Sequence, residues 1–400
     1  MKILFLQDHL ETGGAARAAG RYAVALERLG HQVLVAAGDS QRGAEDFVVT
    51  GKPARGWKRI MEYLLSSAWA RHRRILRARR KWRKILERVS PDLVWIHNLH
   101  GAFKWGWGES LVEESLAHAR VFWTLHDMWP LGSGDFYFPE EALPRKFPGS
   151  PLARISADSA NHPLVLTTPS HWLHRLVMGR NGPWSSLRFP YYLDTDVFQP
   201  AYREQMRRHL GLKSGELLIL TVAENLEDPR KGVDLLCRAW TGMGDWAWRQ
   251  NVQLGLVGRN GGRFARPDSR ILDYGLQESE VDVASFMAAA DLFVHPASAD
   301  NFPLVVEEAQ SCGTPVMAFD VGGVKETFQA GETGFLLPQR EAGCLQSFLK
   351  KITTQERQVL AKMRTTARQL MLVKHGSDHF EAEWVKVEEI LGKIRVNNLS

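Results

Sequence analysis

The stretch KILFLQDHLETGGAARAAGRYAVALERLGHQVLVAAG, residues 2–38, contains an apolar strand pattern, a glycine-bearing turn, a helix pattern and a second strand pattern. In the helix pattern Ala19, Tyr22, Ala23 and Leu26 recur on one face, as they do in a helix that packs one side against a sheet. A strand, a crossover helix and a second strand form a βαβ unit, which is built on parallel strand pairing. The sequence therefore predicts an α/β fold.

The same alternation continues along the chain and is interrupted once, at RFPYYLDTDVFQP, residues 188–200. Before this interruption the sequence predicts strands in PDLVWIHN, ARVFWTLHDMWP and PLVLTTPS, and a helix in HWLHRLVMG. After it, strands are predicted in ELLILTVAE, VQLGLVG, DLFVHP and PVMAFDV, a strand or turn in ILDYGL, helices in VDLLCRAW and VDVASFMAAA, and a terminal helix in DHFEAEWVKVEEILGKI.

These patterns predict two Rossmann-like domains that face one another across a cleft. The predicted domains are residues 1–190 and 191–375, followed by a C-terminal helix, 376–400, that packs back toward the N-terminal domain. A chain of 400 residues is long enough for two hydrophobic cores.

The composition excludes several classes of protein. Three cysteines, Cys237, Cys312 and Cys344, lack metal-ligand spacing, so neither a disulfide framework nor a zinc site is predicted. The apolar start at 3–6 is too short for a signal peptide, and no apolar run is long enough to span a membrane. A cytoplasmic protein is therefore expected.

The net charge of +6 is concentrated in Arg55 to Arg88, which holds 13 Lys or Arg residues and two acids. An apolar stripe at helical spacing runs through the second half of this segment, so it predicts a cationic amphipathic helix. Such a helix suits an anionic membrane surface or an acidic partner. The alternative is a solvated surface helix, and nucleic acid is not expected because no base-reading motif accompanies the charge. The apolar stripe is formed by Ile75, Trp82, Ile85, Leu86 and Val89.

The stretch ADNFPLVVEEAQSCGT, residues 299–314, places two acids, Asp300 and Glu308, around the start of a predicted helix. Pro303 is expected as the first helical residue, with Asp300 or Asn301 as its cap. Backbone N–H groups at this terminus, such as that of Leu304, would attract a phosphate, and the two acids would accept hydrogen bonds from hydroxyls. This combination suggests a nucleotide sugar. The alternative is that Asp300 only caps the helix and Glu308 faces solvent.

The loop NLEDPRKG, residues 225–232, adds two cations, Arg230 and Lys231, directly after a predicted strand. The carboxyl ends of parallel strands are where α/β sheets bind ligands. A diphosphate could be neutralised there.

The chain resembles the retaining glycosyltransferases of family 4, which have the GT-B fold, and within them the bacterial members that build surface polysaccharides. The resemblance rests on Asp300 and Glu308 at the family's spacing, on the following AQSCGTPV and on Lys231-Gly232. It extends to the turn at Gly13-Gly14 and to further short motifs, namely WTLHDMWP, DTDVFQP, LGLVG, YGL and AAADLFVHPAS.

The resemblance implies roles for individual residues. Glu308 would bind the ribose of the nucleotide, Asp300 the hydroxyls of the transferred sugar, and Lys231 the diphosphate, while His126 would lie near the reacting face of the sugar. The remaining implied substrate contacts are Gly13 and Gly14 at the diphosphate and sugar, Gly275 and Leu276 at the base, and Arg230, Asn301, Phe302 and Leu304.

The resemblance also implies transfer with retention of configuration, in which a phosphate oxygen takes the proton of the acceptor. No metal and no cofactor are expected. The expected partners are a nucleoside-diphosphate sugar and a glycan or lipid-linked acceptor. Two departures from the family pattern stand out: the first acid is Asp300 where the family has Glu, and Asn225 occupies a position where the family often has arginine, which Arg230 could replace.

Other candidate sites are weaker. His97 and His100 could contact the acceptor or cap a loop. His171 and His174 have helical spacing but no third metal ligand. The acids of DTD, residues 194–196, mimic a metal-binding pair but lie in the predicted linker, where a turn is favoured. The turn TGGAARAAG lacks the three-glycine spacing of the dinucleotide-binding fingerprint. That fingerprint also expects an acid after the second strand, where only Asp39 is a candidate.

The sequence leaves two further functions open. A nucleotide-sugar epimerase or hydrolase could use the same two-domain fold. A non-catalytic protein could use the basic segment to bind a membrane surface.

Overall fold

The computed structural model describes residues 1–9, 13–39, 47–48, 68–99, 107–132, 136–137, 150–155, 162–355 and 357–397. Contacts between residues divide the chain into two units, which we call the N-terminal and C-terminal units. The N-terminal unit comprises Met1–Tyr192 and Glu383–Ser400, and the C-terminal unit comprises Leu193–Ala382.

The N-terminal unit contains a seven-stranded parallel sheet in the order β3-β2-β1-β4-β5-β6-β7. The opening stretch forms the predicted βαβ unit, in which β1 pairs in parallel with β2 and the helix between them buries Ala18, Tyr22 and Leu26 completely. The strands are β1 Lys2–His9, β2 Gln32–Asp39, β3 Phe47–Val48, β4 Leu93–Ile96, β5 Arg120–Thr124, β6 Leu164–Thr168 and β7 Trp184–Arg188.

Four helices of the described residues lie between or before these strands: α1 Gly14–Arg28, α2 Ala68–Val89, α3 Glu109–Leu116 and α4 His171–Met178. The sequence did not predict β7, whose residues WSSLR are half buried or exposed and carry no apolar run. An edge strand with one polar face gives only a weak sequence signal.

The C-terminal unit contains a six-stranded parallel sheet in the order β10-β9-β8-β11-β12-β13. The predicted strands are present, and the ambiguous ILDYGL forms the short strand β10. The four-residue edge strand β13 was not predicted. The strands are β8 Leu217–Asn225, β9 Val252–Arg259, β10 Ile271–Asp273, β11 Leu292–His295, β12 Val316–Phe319 and β13 Gly334–Leu337.

The helices of this unit cover both faces of its sheet with two apolar clusters, one on α6 and α10 and the other on α8 and α9. The last helix, α12, begins in the C-terminal unit and belongs to the N-terminal unit from Glu383 onward. The helices are α5 Arg203–His209, α6 Val233–Thr241, α7 Trp246–Arg249, α8 Glu280–Ala289, α9 Leu304–Ser311, α10 Ala342–Gln355, α11 Arg357–His375 and α12 Ser377–Asn397.

Both sheets share one topological feature. In each sheet the chain first adds strands on one side of the first strand and then returns to add strands on its other side. As a result β1 lies beside β4, and β8 lies beside β11. Loops diverge at the carboxyl ends of such strand pairs and leave space for a ligand. Each unit therefore has one topologically favoured position for a binding site. These two domains are Rossmann-like, as predicted.

Helix α2 is the described part of the basic segment, and 55–67 lies outside the described residues. Its apolar stripe is packed as expected, and Trp82 Nε1 donates to Ser115 Oγ at 2.8 Å. Arg79 and Arg83 bind the buried carboxylate of Glu114 through N–O distances of 2.6 and 2.5 Å. Burial alone would raise the pKa of Glu114, but these arginines lower it. Two of the cations are therefore part of the packing of α2 on α3. In the described part of the chain, no helix is both long and apolar enough to cross a bilayer.

A buried ion cluster joins α9 to the last turn of α11. The carboxylate of Glu307, which has no exposed surface, pairs with Lys374 Nζ and lies 3.2 Å from His375 Nε2. Burial alone would raise the pKa of Glu307, but Lys374 and His375 lower it to about 2. Lys374 also stands 4.8 Å over the ring of Phe302, just before α9.

Glu307→Gln is expected to destabilise the C-terminal unit by roughly 3–5 kcal/mol at pH 7, because the half-buried Lys374 would lose the buried carboxylate that balances its charge. A carboxylate with a depressed pKa stabilises the fold fully above its unfolded-state pKa. That contribution disappears as the pH falls from about 4.5 toward about 2. The difference from wild type in urea unfolding should therefore be large at neutral pH and shrink below pH 4.5.

The matched control is Asp245→Asn, which removes a carboxylate from an exposed ion pair with Arg249. Surface pairs of this kind contribute only about 0–1 kcal/mol. Equal stability of Glu307→Gln and Asp245→Asn would contradict a stabilising role for the buried cluster.

Candidate active site

The loop after β8 ends in a short 3₁₀ turn, Pro229–Lys231, which is followed by Gly232. Asp228 caps this turn by accepting a hydrogen bond from the backbone N–H of Arg230 at 2.9 Å. Gly232 has a φ of 68°, and a Cβ atom at this position would lie 2.1 Å from the carbonyl oxygen of Pro296. Only glycine fits here, and the loop after β8 is thereby held against the loop after β11.

The loop after β11 brings Asp300 to the cations of the loop after β8. Lys231 Nζ donates to Asp300 Oδ2 at 2.9 Å, Arg230 Nη1 lies 3.6 Å from the same oxygen, and His295 Nε2 lies 3.5 Å from it. The two loops are also joined through their backbones, since Ser298 N–H donates to the carbonyl of Arg230 at 2.8 Å. The residues that the sequence singled out on two separate strands form one cluster at the β8/β11 reversal.

Asp300 is buried and ionised. Burial alone would raise its pKa, but Lys231 above all, together with His295 and Arg230, holds the pKa well below its ordinary value. Burial lowers the pKa of His295 despite the neighbouring Asp300, so the imidazole is neutral at pH 7. Ionised Asp300 has only acceptor oxygens. The carboxylate is therefore suited to receive hydrogen bonds from hydroxyl groups.

Four charged side chains balance one another in this cluster. Arg230 Nη2 lies 3.3 Å from Asp228 Oδ2, and Lys231 pairs with Asp300. Two cations thus face two carboxylates. An anion that enters must take a cation away from a carboxylate or share it.

Helix α9 begins next to this cluster, one residue later than the sequence predicted. Leu304 is its first residue and Pro303 is the N-cap, with no side-chain cap hydrogen bond. The expectation that Pro303 opens the helix with Asp300 or Asn301 as its cap was wrong, because Asp300 is held by Lys231 in the preceding loop. The backbone carbonyl of Asp300 accepts from the N–H of Gly323 at 3.2 Å, which adds the loop after β12 to the site.

The first turn of α9 contains N–H groups that have no acceptor within the helix, including that of Leu304. Asn301, Phe302 and Leu304 are all buried in the turn that leads into it. The positive end of the helix dipole therefore lies beside the charged cluster.

Two adjacent acids on α9 have different surroundings. Glu307 is bound to Lys374 and His375, as described above. Glu308 is 1% exposed and Asp300 is 7% exposed, so the alternative of a solvent-facing Glu308 and a simple cap at Asp300 was wrong. The sequence did not predict the role of Glu307, since nothing in its immediate neighbours points to Lys374.

The loop after β10 contains the other predicted contacts of the C-terminal unit. Gly275 has a φ of 71°, its N–H donates to Asp273 Oδ1 at 2.9 Å, and its carbonyl accepts from Gly258 N–H at 2.8 Å. Leu276 follows and is 42% exposed. A rigid turn thus presents an apolar side chain at the carboxyl edge of the sheet.

In the N-terminal unit, the predicted glycine turn precedes α1. Gly13 is its N-cap with a φ of 93°, a conformation that glycine adopts without strain, and Gly14 is the first helical residue. Gly14 is exposed, and a Cβ atom there would meet no atom of the described residues within 4 Å. The first turn of α1, which follows β1, contains backbone N–H groups that have no acceptor within the helix.

His126 follows β5 and contacts two side chains from other elements. Its Nε2 lies 3.1 Å from His97 Nδ1 and its Nδ1 lies 2.7 Å from Tyr191 Oη. His97 follows β4 and is buried, whereas His100 lies outside the described residues. The packing of His97 against His126 was not predicted, because 29 residues separate them.

The other candidate residues make hydrogen bonds within the fold. Asp194 accepts hydrogen bonds from the N–H groups of Asp196 at 3.0 Å and Val197 at 3.3 Å. These bonds form the turn that the sequence favoured over a metal site. His174 Nδ1 lies 3.3 Å from Thr168 Oγ1. Among the residues that the structure describes, no group of three potential metal ligands is present. All three cysteines are free thiols.

Comparison with known proteins identifies the chain at the family level. The family model for group 1 glycosyl transferases matches residues 202–370, and the model for glycosyltransferase family 4 matches residues 12–189. The D-inositol 3-phosphate glycosyltransferase of Mycobacterium tuberculosis strain H37Rv is 34% identical over 163 residues, which cover 38% of this chain and 32% of that protein. The match thus spans about a third of the length of the curated relatives.

Solved structures match over nearly the whole chain. Anabaena HepE in complex with UDP and glucose superposes with a TM-score of 0.68 at 19% identity and covers 97% of this chain and 99% of its own. WaaG, a glycosyltransferase involved in lipopolysaccharide biosynthesis, superposes with a TM-score of 0.65 at 19% identity and covers 98% and 99%. These structures establish a GT-B fold. With both family models matching, the chain belongs to the group 1 glycosyl transferases of family 4.

Proposed function

We propose that this protein transfers a hexose-type sugar from a nucleoside-diphosphate sugar to a glycan or lipid-linked acceptor, with retention of configuration and without a metal ion. The observation that carries the proposal is the contact of Lys231 with the buried Asp300 beside the first turn of α9. The contact puts a cation, a hydroxyl acceptor and free backbone donors at one strand reversal. A diphosphate linked to a sugar requires these three kinds of group.

In the proposed complex the diphosphate takes Lys231 from Asp300. Asp300 then accepts hydrogen bonds from the sugar hydroxyls in place of the ammonium, and hydrogen bonds donated to a carboxylate favour its ionised form. The exchange keeps both groups satisfied inside a buried site, where an unpaired charge is costly. Arg230 supports the diphosphate from the same loop and fills the place of the arginine that the family often has at Asn225.

The remaining contacts of the C-terminal unit are assigned by the same proposal. Glu308 binds the ribose hydroxyls, and Gly275 and Leu276 contact the base. Asn301, Phe302 and the N–H of Leu304 complete the donor site at the start of α9. Glu307 has no ligand role, since its carboxylate is engaged by Lys374 and His375.

We assign the acceptor to the N-terminal unit, residues 1–190 in the sequence-based division, where Gly13, Gly14 and His126 lie at the carboxyl edge of the sheet. In the reaction, the bond from the anomeric carbon to the diphosphate oxygen breaks and a bond to the acceptor oxygen forms on the same face of the sugar. A phosphate oxygen takes the acceptor proton. Lys231 and the α9 terminus stabilise the charge that develops on the leaving group, often the largest catalytic contribution.

Two similar structures support the substrate class and the biological role. HepE binds UDP and glucose, and WaaG acts in lipopolysaccharide biosynthesis. We infer a related task here, in bacterial exopolysaccharide, capsule or lipopolysaccharide synthesis. The exposed cations Arg80, Lys81 and Lys84 on α2 favour work on a lipid-linked acceptor at the cytoplasmic face of a membrane.

The first prediction of the proposed function concerns the reaction class. Incubated with UDP, GDP or ADP sugars, the protein should release the nucleoside diphosphate only when a glycan or lipid-linked acceptor is added, and EDTA should not reduce the rate. The product linkage, read by ¹H NMR, should keep the anomeric configuration of the donor. Release without acceptor would identify a hydrolase, a changed sugar without release would identify an epimerase, and no binding of any nucleotide sugar would leave a non-catalytic role.

The second prediction uses the exchange of partners at Lys231. Asp300→Asn should bind the sugar-free nucleoside diphosphate more tightly, by about tenfold, because Lys231 no longer has to leave a carboxylate, whereas its kcat for transfer should fall by about 100-fold or more. Lys231→Met should weaken both diphosphate binding and kcat. Isothermal titration and steady-state kinetics measure the two effects.

Glu308→Gln serves as the matched comparison in the same titrations. It should weaken the nucleoside monophosphate and the diphosphate by the same factor, roughly 10-fold, because the ribose is common to both. Lys231→Met should spare the monophosphate more than the diphosphate. Weaker diphosphate binding by Asp300→Asn would refute the exchange, and unchanged nucleotide binding by Glu308→Gln would refute the ribose contact.

The third prediction concerns the membrane surface. The protein should float with vesicles that contain anionic phosphatidylglycerol at low salt, and Arg80→Gln/Lys81→Gln/Lys84→Gln should reduce that binding by roughly 100-fold, at about 1 kcal/mol per charge. Arg79 and Arg83 are left unchanged because they stabilise Glu114. The control replaces three exposed cations elsewhere by glutamine, at Arg208, Lys213 and Lys386.

High salt should release the wild-type protein, since surface charges are screened within about 3 Å at 1 M salt. Equal flotation of the two triple variants, or flotation that salt does not reduce, would rule out α2 as the contact.

A further inference from the structure

Three polar side chains of the N-terminal unit form a continuous hydrogen-bonded chain. His97 Nδ1 lies 3.1 Å from His126 Nε2, and His126 Nδ1 lies 2.7 Å from Tyr191 Oη. The three residues come from different places in the fold: the end of β4, the end of β5 and the segment after β7. Both ring nitrogens of His126 are therefore within hydrogen-bond distance of a protein group.

His97 is fixed by aromatic packing on several sides. Its ring lies 4.8 Å from Phe5, 5.5 Å from Trp95 in a stacked arrangement with an interplanar angle of 20°, and 6.0 Å from Tyr22. The side chain is 2% exposed. A ring held in this way cannot turn to follow a ligand, so it presents its Nδ1 in one direction.

The packing also determines which nitrogen atoms of His97 and His126 carry protons. Burial, and after it the neighbouring His126, holds the pKa of His97 well below its ordinary value, so this ring is neutral with one N–H. In the described part of the chain, no group lies within hydrogen-bond distance of His97 Nε2, which is buried. Buried N–H groups without an acceptor are rarer than acceptors without a donor. The proton of His97 therefore belongs on Nδ1, where it is donated to His126 Nε2.

The direction of the next bond follows. Because His126 Nε2 accepts from His97, the proton of a neutral His126 lies on Nδ1 and is donated to Tyr191 Oη. The rings of His126 and Tyr191 stack with an interplanar angle of 12°, which restricts the rotation of the His126 ring further.

We propose that His97 and Tyr191 are positioning residues that hold His126 as the neutral Nδ1–H tautomer in one orientation. The inference rests on the proposed function in one respect, the placement of His126 at the reacting face of the sugar. An imidazole whose two nitrogens are both engaged is a fixed dipole and a poor base. The acceptor proton then has to go elsewhere, and the proposed mechanism gives it to a phosphate oxygen.

The tautomer is tested first, without any assay of activity. Long-range ¹H–¹⁵N spectra of the full chain labelled with ¹⁵N-histidine, with the His126 signals assigned by their loss in His126→Asn, should show a protonated Nδ1 and an unprotonated Nε2 at pH 7. Tyr191→Phe should shift the Nδ1 signal. A protonated Nε2, an imidazolium or an average of two tautomers at His126 would overturn the inference.

The positioning role is then tested by a matched pair of variants. His97→Leu keeps the volume but removes the donor, and should lower kcat by about 10- to 100-fold while donor KM changes by less than about twofold. His97→Asn places an amide N–H near the position of Nδ1 and should restore most of the lost kcat. Tyr192→Phe is the control for Tyr191→Phe, because the neighbouring phenol oxygen accepts from Arg28 at 2.8 Å and should leave kcat unchanged.

The outcomes distinguish a failure of the proposed function from a failure of the positioning role. A wild-type protein that transfers no sugar, with His126 still the Nδ1–H tautomer, would refute the proposed function and leave the geometry intact. Equal kcat values for wild type, His97→Leu and Tyr191→Phe, in a protein that does transfer sugar, would overturn the positioning role. A low kcat in His97→Leu that is largely restored in His97→Asn, together with the Nδ1–H tautomer of His126 in the NMR spectra, would establish it.

Discussion

The buried carboxylate of Asp300 constrains the C-terminal unit more than any other group in its site. An ionised carboxylate in this position needs a cation within contact distance, and Lys231 supplies it from a loop 69 residues away. The pairing requires the loops after β8 and β11 to touch, and the contact leaves no room for a side chain at Gly232. The backbone conformation of the Lys-Gly sequence thus follows from the electrostatics of the acid on the neighbouring strand.

Helix α9 shows how one short element serves both the fold and the site. Adjacent residues on a helix point about 100° apart, so Glu307 and Glu308 face different neighbours. Glu307 turns toward α11, where Lys374 and His375 hold it, and Lys374 also covers Phe302 in the turn before the helix. The same cation therefore fixes the helix and the turn from which the proposed donor contacts extend. The stability of the unit and the geometry of its site depend on one buried ion cluster.

The sequence predicted the parts of this protein that rest on local pattern. Buried strands and amphipathic helices were recognised from periodicity, and β7 and β13 were missed because a polar edge strand and a four-residue strand have almost none. The spacing of Asp300 and Glu308 and the Lys231-Gly232 pair pointed to the site. Contacts across the fold could not be read: neither Glu307 with Lys374 nor His97 with His126 leaves a trace in the residues next to them. The cap of α9 was predicted wrongly for the same reason: Asp300 binds Lys231, which is distant in sequence, and does not cap the helix.

The carboxyl edges of the two sheets carry different chemistry. Beside β8 and β11, two cations face two carboxylates, whereas after β4, β5 and β7 two imidazoles and a phenol are hydrogen-bonded in series. In the proposed reaction, cations are needed where the diphosphate leaves with its growing charge. Near a sugar hydroxyl or an electron-poor anomeric carbon, a cation would be unfavourable and a strong base would invite hydrolysis. The proposed neutral His126, held by His97 and Tyr191, would suit a place near the sugar, as Lys231 would suit a place near the diphosphate.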